Sequence, residues 1–80
     1  MSDQITVYTT RTCGPCLRLK RRLDDAGVGF REVDIDHEPD IARRIEDATG
    51  GYRIVPTVEI GGRLLVNPLP NDVVALAASN

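Results

Sequence analysis

The chain has 80 residues, of which 41% are hydrophobic and 28% are charged, so it can form one domain with a modest core over residues 1–80. Ten Lys and Arg residues against 12 Asp and Glu residues give a net charge of −2. This charge gives no electrostatic reason to bind nucleic acid or an anionic membrane surface, so we exclude both from the expected partners.

The beginning of the chain, MSDQITVY, has neither the basic segment nor the apolar segment of a secretory signal peptide. No stretch of the sequence is apolar for long enough to span a bilayer. These features predict a cytoplasmic protein. The compartment matters for the two cysteines, because a reducing environment disfavours structural disulfides and favours catalysis or metal binding.

The first half of the chain alternates predicted strands and helices. Residues 5–9 are predicted to form a strand, and CLRLKRRLDDAG, which starts at Cys16, predicts a helix that ends at Gly27. Residues 30–36 alternate apolar and polar side chains and predict a second strand. A second helix should begin near Pro39 and stop at the glycine pair 50–51. The apolar face of this second helix consists of Ile41, Ala42, Ile45 and Ala48.

The second half predicts an antiparallel hairpin and a closing helix. Two short apolar runs, 57–60 and 63–66, flank Gly61-Gly62, which is a strong signal for a two-residue hairpin. Residues 72–78 predict a short helix. The order is β-α-β-α-β-β-α, and strands joined through helices are expected to pair in parallel. This predicts an α/β architecture with a four-stranded mixed sheet, similar to a minimal thioredoxin fold.

Both cysteines lie in the stretch TRTCGPCLRLK, as Cys13 and Cys16 separated by Gly14 and Pro15. The predicted elements place Cys13 at the N-terminus of the first helix, where the helix dipole and free N–H groups favour an anion. We therefore expect the pKa of the Cys13 thiol to be lower than that of an ordinary cysteine, which makes Cys13 a nucleophile. Basic residues on either side add positive charge, namely Arg11 and Arg18.

The helical period predicts different roles for the two cysteines. Cys16 continues a stripe with Leu19, Leu23 and Ala26 that should face the sheet, so Cys16 should be buried and Cys13 exposed. An exposed thiolate followed by a shielded thiol suits a two-step disulfide exchange, in which the first attacks a substrate and the second displaces the product.

Other interpretations of the cysteines are weaker. A structural zinc site needs four ligands, and the two cysteines with His37 do not complete one without a carboxylate or a second chain. A purely structural disulfide across three residues would close a very small loop and stabilise little. His37 itself is expected to be a solvated loop residue. The run RLKRR is expected to be a solvated helix face whose first residues attract an anionic substrate.

The stretch IVPTV places Pro56 directly before the hairpin, where a proline on its own suggests the start of a strand. Together with VYTTRTCGPC and the predicted order of elements, the VPT motif resembles the glutaredoxin family over almost the whole chain. Within that family, the stretches ITVYTT, CLRLK, EVDID and VPTV and the pair Asn67-Pro68 are most similar to the actinobacterial mycoredoxins.

This resemblance implies a thiol-disulfide oxidoreductase that carries a redox-active disulfide and no bound cofactor. It would act as a monomer on protein disulfides and on mixed disulfides with a low-molecular-weight thiol, which is mycothiol in that lineage. Cys13 would be the nucleophile. The family's cis-proline corresponds to Pro56, so the Val55 backbone would pair with the substrate as an added strand. Arg11, through its positive charge near Cys13, and Thr57, beside Pro56, complete the expected substrate-binding residues.

Some residues depart from the family pattern and leave alternatives open. Many glutathione-using glutaredoxins have a Gly-Gly pair where this chain has Asn67-Pro68, and often a Lys where it has Thr10, which disfavours glutathione. The CGPC centre matches typical thioredoxins, so its potential should lie nearer about −270 mV than about −200 to −230 mV. One alternative is an electron donor for ribonucleotide reductase recharged by thioredoxin reductase. Another is an iron–sulfur carrier, which the rigid Pro15 disfavours.

Overall fold

The computed structural model describes residues 5–78. Its elements are β1 (Ile5–Thr9), α1 (Gly14–Asp25), β2 (Arg31–Asp34), a 3₁₀ turn (Ile35–His37), α2 (Pro39–Thr49), β3 (Thr57–Ile60), β4 (Arg63–Val66) and α3 (Pro70–Ala78). This order confirms the predicted β-α-β-α-β-β-α arrangement. None of the helices within the described range is long and apolar enough to cross a membrane.

The four strands form one mixed sheet in the order β2-β1-β3-β4. β1 runs parallel to β2, as expected for a crossover through α1, and antiparallel to β3, while β3 and β4 form the predicted hairpin. The expectation that the second crossover also joins parallel neighbours is wrong, because β3 pairs with β1 and runs in the opposite direction. After α2, residues 50–56 return the chain to the end of the sheet at which β2 finished.

The strand register gathers three loops at one end of the sheet. Thr9, the last residue of β1, is paired with Asp34, and its neighbour Tyr8 is paired with Thr57. Thr57 is in turn paired with Val66, the last residue of β4. The loop from β1 to α1, the segment before β3 and the turn after β4 therefore lie beside one another.

Helices cover both faces of the sheet. The helices α1 and α3 cover one face, on which the buried residues are Ile5, Val7, Leu19, Leu23, Val58, Ile60 and Val73. The other face is covered by α2, and its buried cluster is Tyr8, Ile35, Ala42 and Ile45. Burial of each large aliphatic side chain contributes about 1.5 to 3 kcal/mol, which makes this mainly aliphatic core the main source of stability.

Two alanines predicted to face the core are exposed. Ala26 caps the C-terminus of α1, and the following Gly27 has a φ of 72°, so the chain leaves the helix there instead of extending the buried stripe. Ala48 lies in the last turn of α2, where its neighbour Asp47 is also exposed. This last turn lies beyond the buried cluster that contains Ala42 and Ile45. The apolar spacing of α2 therefore continues after the helix has stopped packing against the sheet.

The second strand is shorter than predicted because a turn begins at Ile35. The side chain of Asp34 accepts a hydrogen bond from the Asp36 N–H at 2.9 Å and so caps the 3₁₀ turn. Ile35 is buried, as its alternation indicated, but it reaches the core from this turn. His37 ends the turn as an exposed residue, with its Nε2 atom 3.9 Å from a carboxylate oxygen of Asp34.

The hairpin and the last helix follow the sequence closely. Both strands have the predicted bounds, and Gly61 and Gly62 have φ values of 57° and 79°, a conformation that glycine adopts without steric cost. The last helix begins at Pro70, two residues before the predicted start at Asp72, because proline is well accommodated in a first turn.

A charged network ties α2 to the sheet. The Tyr8 hydroxyl donates to Glu59 Oε1 at 2.6 Å, and Arg44 donates to both oxygens of the same carboxylate at 3.0 and 3.2 Å. The hydrogen bond from Arg44, and then that from Tyr8, lowers the pKa of Glu59. Burial, and then the bond to Glu59, raises the pKa of Tyr8.

This network predicts a specific contribution to acid stability. Because the folded-state pKa of Glu59 is lowered, its contribution is complete above the unfolded-state pKa of about 4.3 and is lost as the pH falls through the folded-state value. We expect the free energy of unfolding to fall between pH 5 and pH 3 by about 1 kcal/mol more in the wild type than in Glu59→Gln. Urea unfolding at several pH values measures the difference.

The control for this experiment is Asp47→Asn, which removes an exposed carboxylate of α2 that forms no ion pair within residues 5–78. Its stability should follow that of the wild type across the same pH range. If the free energy of unfolding fell equally with pH in Glu59→Gln and in the wild type, Glu59 would not contribute to acid stability through this network.

Candidate active site

Cys13 is the N-cap residue of α1. Its backbone is extended, with φ −124° and ψ 101°, and its carbonyl accepts the first helical hydrogen bond from Leu17 at 3.2 Å. The Cys13 Sγ atom accepts a hydrogen bond from the Cys16 N–H at 3.0 Å. Pro15 lies in the first turn, which contains no acidic residue. The helix therefore directs a free N–H group and the positive end of its dipole at this sulfur.

Cys16 lies on the protected side of the helix. It is 2% exposed, whereas Cys13 is partly exposed. The two are joined by a disulfide, with their Cα atoms 5.2 Å apart. The predicted contrast in burial is therefore present, although Cys13 is less exposed than we expected. In the stripe with Leu19 and Leu23, Cys16 faces the sheet as predicted.

Pro56 lies beside this site at the start of β3. The Val55–Pro56 peptide bond is cis, as the resemblance implied. The backbone of Val55 forms no hydrogen bond with any of residues 5–78. Thr57 is fully buried, and its hydroxyl donates to the Ile54 carbonyl at 2.7 Å. The Thr57 side chain is thus hydrogen-bonded inside the protein. The backbone of Val55, directly before Pro56, has no such partner among the described residues and can form hydrogen bonds with a substrate segment.

A groove of about 320 Å³ lies next to the cysteines. It is formed by the first turns of α1, by Pro56 and by the turn after β4, residues 67–70. Arg18 and Pro15 line the helix side, and Leu69, which is 67% exposed, lines the opposite side. The groove is large enough for a side chain or part of a small ligand, and most of its wall is apolar.

The turn after β4 has a distinctive backbone. Asn67 adopts a left-handed conformation with a φ of 48°, and its N–H donates to the Pro56 carbonyl at 2.9 Å. Pro68 follows and has no N–H group to donate to a ligand. This wall of the groove therefore offers a ligand fewer backbone donors than a pair of glycines would.

Two basic residues named in the sequence lie in different places. Arg18 lines the groove, whereas Arg11 is exposed and is not among the lining residues. The sequence predicts that the run RLKRR, which begins at Arg18, attracts an anionic substrate, but it places neither Arg18 nor residues 67–70 in the substrate-binding set. The spacing of Arg18, one turn after Pro15 on the predicted helix, was a signal that could have identified it. The position of residues 67–70 depends on the hairpin register.

A second network holds the end of β1 that leads into the cysteine loop. The buried Thr9 hydroxyl donates to Glu32 at 3.1 Å, and the Lys20 ammonium group donates to the same oxygen at 2.8 Å. The bond from Lys20 lowers the pKa of Glu32. Among residues 5–78, no three His, Cys, Asp or Glu side chains are grouped closely enough to hold a metal ion.

A mixed sheet of this order with a CxxC pair at the first helix and a cis-proline beside it defines a thioredoxin-fold redox protein. The chain belongs to the glutaredoxin family, since the family model named Glutaredoxin matches residues 5–65. The "Putative glutaredoxin Rv3198A" of Mycobacterium tuberculosis is 43% identical over 72 residues, which cover 89% of this chain and 86% of that protein.

Solved structures agree with this assignment. The glutaredoxin-like NrdH-redoxin of Escherichia coli superposes with a TM-score of 0.75 at 27% identity, covering 91% of this chain and 92% of that one. A buckwheat glutaredoxin–glutathione complex gives a TM-score of 0.67 at 31% identity, covering 80% of this chain and 60% of that one. The chain is therefore a glutaredoxin-like thiol-disulfide oxidoreductase with a Cys13–Cys16 pair.

Proposed function

We propose that this chain reduces mixed disulfides between proteins and mycothiol, with Cys13 as the nucleophile and Cys16 as the resolving thiol. The observation that carries the proposal is the placement of the Cys13 sulfur at the N-cap, where it accepts the Cys16 N–H, while the Cys16 side chain is buried. A thiolate at Cys13 is stabilised by this donor and by the helix dipole, and a substrate sulfur can reach it.

The reaction consists of two thiol-disulfide exchanges. The Cys13 thiolate attacks the mycothiol sulfur of the substrate, forms a Cys13–mycothiol disulfide and releases the protein thiolate, which takes up a proton. A second mycothiol thiolate then attacks this disulfide, releases Cys13 as a thiolate and forms mycothiol disulfide. On protein disulfides, Cys16 instead displaces the bound partner and forms the Cys13–Cys16 disulfide, so the two thiols of the chain supply both electrons.

The segment before β3 is the proposed docking position for an extended substrate. The Val55 backbone is unpaired within the described chain and adjoins Pro56, so a substrate segment can add to it as a short strand. Thr57 supports this edge from inside, through its bond to Ile54. Arg11 is exposed on the loop before Cys13 and supplies positive charge there.

The choice of mycothiol over glutathione follows from the turn after β4 and from the relatives. Asn67 uses its N–H internally and Pro68 has none, so this wall is poorly suited to hold the carboxylates of glutathione through backbone donors. Relatives at 43% identity come from Mycobacterium tuberculosis, and the chain's motifs resemble those of mycoredoxins. We further propose that residues 1–80 act as one domain, as a monomer, in the cytoplasm.

A second candidate is an electron donor recharged by thioredoxin reductase. The similarity to the NrdH-redoxin of Escherichia coli favours it, because that protein is described as having a thioredoxin-like activity profile. A protein of Escherichia coli named glutaredoxin-like protein NrdH is also 31% identical over 58 residues.

Two coupled assays separate these candidates. NADPH consumption is followed with the oxidised protein and either mycothiol plus its reductase or thioredoxin reductase alone. We expect turnover with the first couple and none with the second. Turnover only with thioredoxin reductase would establish the second candidate instead.

A variant of the turn tests why mycothiol is preferred. The double substitution Asn67→Gly with Pro68→Gly adds one backbone donor, the N–H of position 68, and glycine tolerates the left-handed conformation at position 67. With glutathione and its reductase as the couple, this variant should turn over faster than the wild type. An unchanged rate with glutathione would mean that this turn does not select the thiol.

A further inference from the structure

Arg18 lies over the active-site turn without an ionic partner. Its Nη1 atom is 3.8 Å from the position that a β-carbon on Gly14 would occupy, so its guanidinium is folded back toward the CGPC loop. No carboxylate among residues 5–78 is paired with it. The basic residues that do hold a carboxylate are Lys20, Arg44 and Arg53. The donors of Arg18 are therefore available to a molecule that enters the site.

The surroundings of Arg18 favour recognition of an anion. Among the described residues that line the groove, Arg18 is the charged one, and Asn67 is the other residue with a polar side chain. The remaining wall consists of prolines and Leu69. The apolar wall excludes water from one side of Arg18, which is itself exposed, so a charge interaction there is moderately stronger than one on an open surface. A guanidinium binds a carboxylate with paired hydrogen bonds, so a carboxylate is the group best matched to it.

We propose that Arg18 binds a carboxylate of the disulfide substrate, close to the sulfur that Cys13 attacks, and that the enzyme consequently prefers acidic substrates. This inference rests on the proposed function, because it takes Cys13 as the attacking group. The carboxylate belongs to an acidic side chain beside the substrate cysteine, because mycothiol, the small thiol of the proposed substrate, has no carboxyl group.

Arg18 takes no part in bond making in this scheme. The Cys13 thiolate attacks one substrate sulfur and the other sulfur leaves as a thiolate, while Cys16 later closes the Cys13–Cys16 disulfide and releases the second thiolate. Two protons in total pass from the enzyme thiols, through solvent, to the products. Arg18 stays protonated throughout and holds the substrate in place.

Single-turnover reduction of four synthetic disulfides tests the proposal. Peptides with one cysteine, flanked by either Glu or Gln, are each joined to 2-mercaptoethanol or to 3-mercaptopropionate. With the fully reduced enzyme, Arg18→Gln should lower the second-order rate constant about two- to fivefold for substrates whose carboxylate reaches Arg18. The loss should be smallest for the wholly neutral disulfide, which reports any effect of Arg18 on the Cys13 thiolate itself. The loss should shrink at high salt because ions screen the pair.

The arms of this experiment identify the source of the carboxylate. A loss confined to the Glu peptides supports the proposal, whereas a loss confined to the 3-mercaptopropionate disulfides would contradict it, because it would place the carboxylate on the small thiol. The control is Arg43→Gln, which removes the same charge from an exposed position on α2 that has no ionic partner within residues 5–78. This control should not distinguish the four substrates.

Two results would overturn the inference. An equal loss on all four disulfides would mean that Arg18 acts on the Cys13 thiolate and not on the substrate, and no loss on any of them would mean that it binds no carboxylate. Failure of the proposed function would be visible separately, because the wild type would then show no turnover in the coupled assay with mycothiol and its reductase.

Discussion

Replacing Cys13 with Ser is expected to abolish reduction of every disulfide substrate, leaving only the uncatalysed rate of exchange. The thiolate is the nucleophile in disulfide exchange, and a serine hydroxyl neither ionises at neutral pH nor forms a disulfide. Cys16 cannot take over, because its side chain is 2% exposed and lies on the core side of α1. NADPH-coupled turnover with a small mixed disulfide and with a protein disulfide measures the loss.

The loss of activity should occur without loss of the fold. Serine is a favoured N-cap residue, so Ser at position 13 can still accept the Cys16 N–H that the sulfur accepts now. The proper reference for stability is the reduced wild type, since the variant cannot form the disulfide. A circular dichroism spectrum and melting curve close to that reference, with substantial activity remaining, would show that Cys13 is not the nucleophile.

Replacing Cys16 with Ser is expected to divide the substrates into two groups. Reduction of mixed disulfides with a small thiol should persist, because a second small thiol can reach the Cys13 adduct and release it. Reduction of protein disulfides should be largely lost, because the bound protein shields the adduct and only a thiol three residues away can displace it. The ratio of the two rates, measured for the variant and the wild type, is the quantity to compare.

Cys16→Ala provides the matched control for this variant. Position 16 is buried, so Ser places a hydroxyl in an apolar site, while Ala removes the thiol without adding a polar group. If the effect is due to loss of the Cys16 thiol, both variants should retain reduction of small mixed disulfides and lose most of the reduction of protein disulfides. Equal loss on both substrate groups in both variants would contradict a route that uses Cys13 alone.

The parts of the structure that sequence predicted well depend on local signals. The glycine pair 61–62 fixes the hairpin, because both positions need a positive φ, and both strands have their predicted bounds. The cysteine pair is similarly local. A proline in the first turn and a three-residue spacing place Cys13 at the N-cap and Cys16 on the buried side of the helix.

The parts that sequence did not predict depend on contacts between distant segments. The direction of β3 is decided by where residues 50–56 bring the chain back to the sheet, which no local pattern encodes. Ala48 continues the apolar period of α2 beyond the end of its contact with the core. Leu69 and Asn67 join the groove only because the hairpin register places the end of β4 beside Pro56.

The most direct test of the proposed mechanism is to trap its first intermediate. Reduced Cys16→Ser protein is mixed with a peptide–mycothiol disulfide, the reaction is quenched with acid, and the intact chain and its peptides are weighed by mass spectrometry. We predict that the chain gains one mycothiol, in disulfide linkage at Cys13, and that free peptide is released. Attachment of the peptide in place of mycothiol, or no adduct at Cys13, would contradict the proposed mechanism.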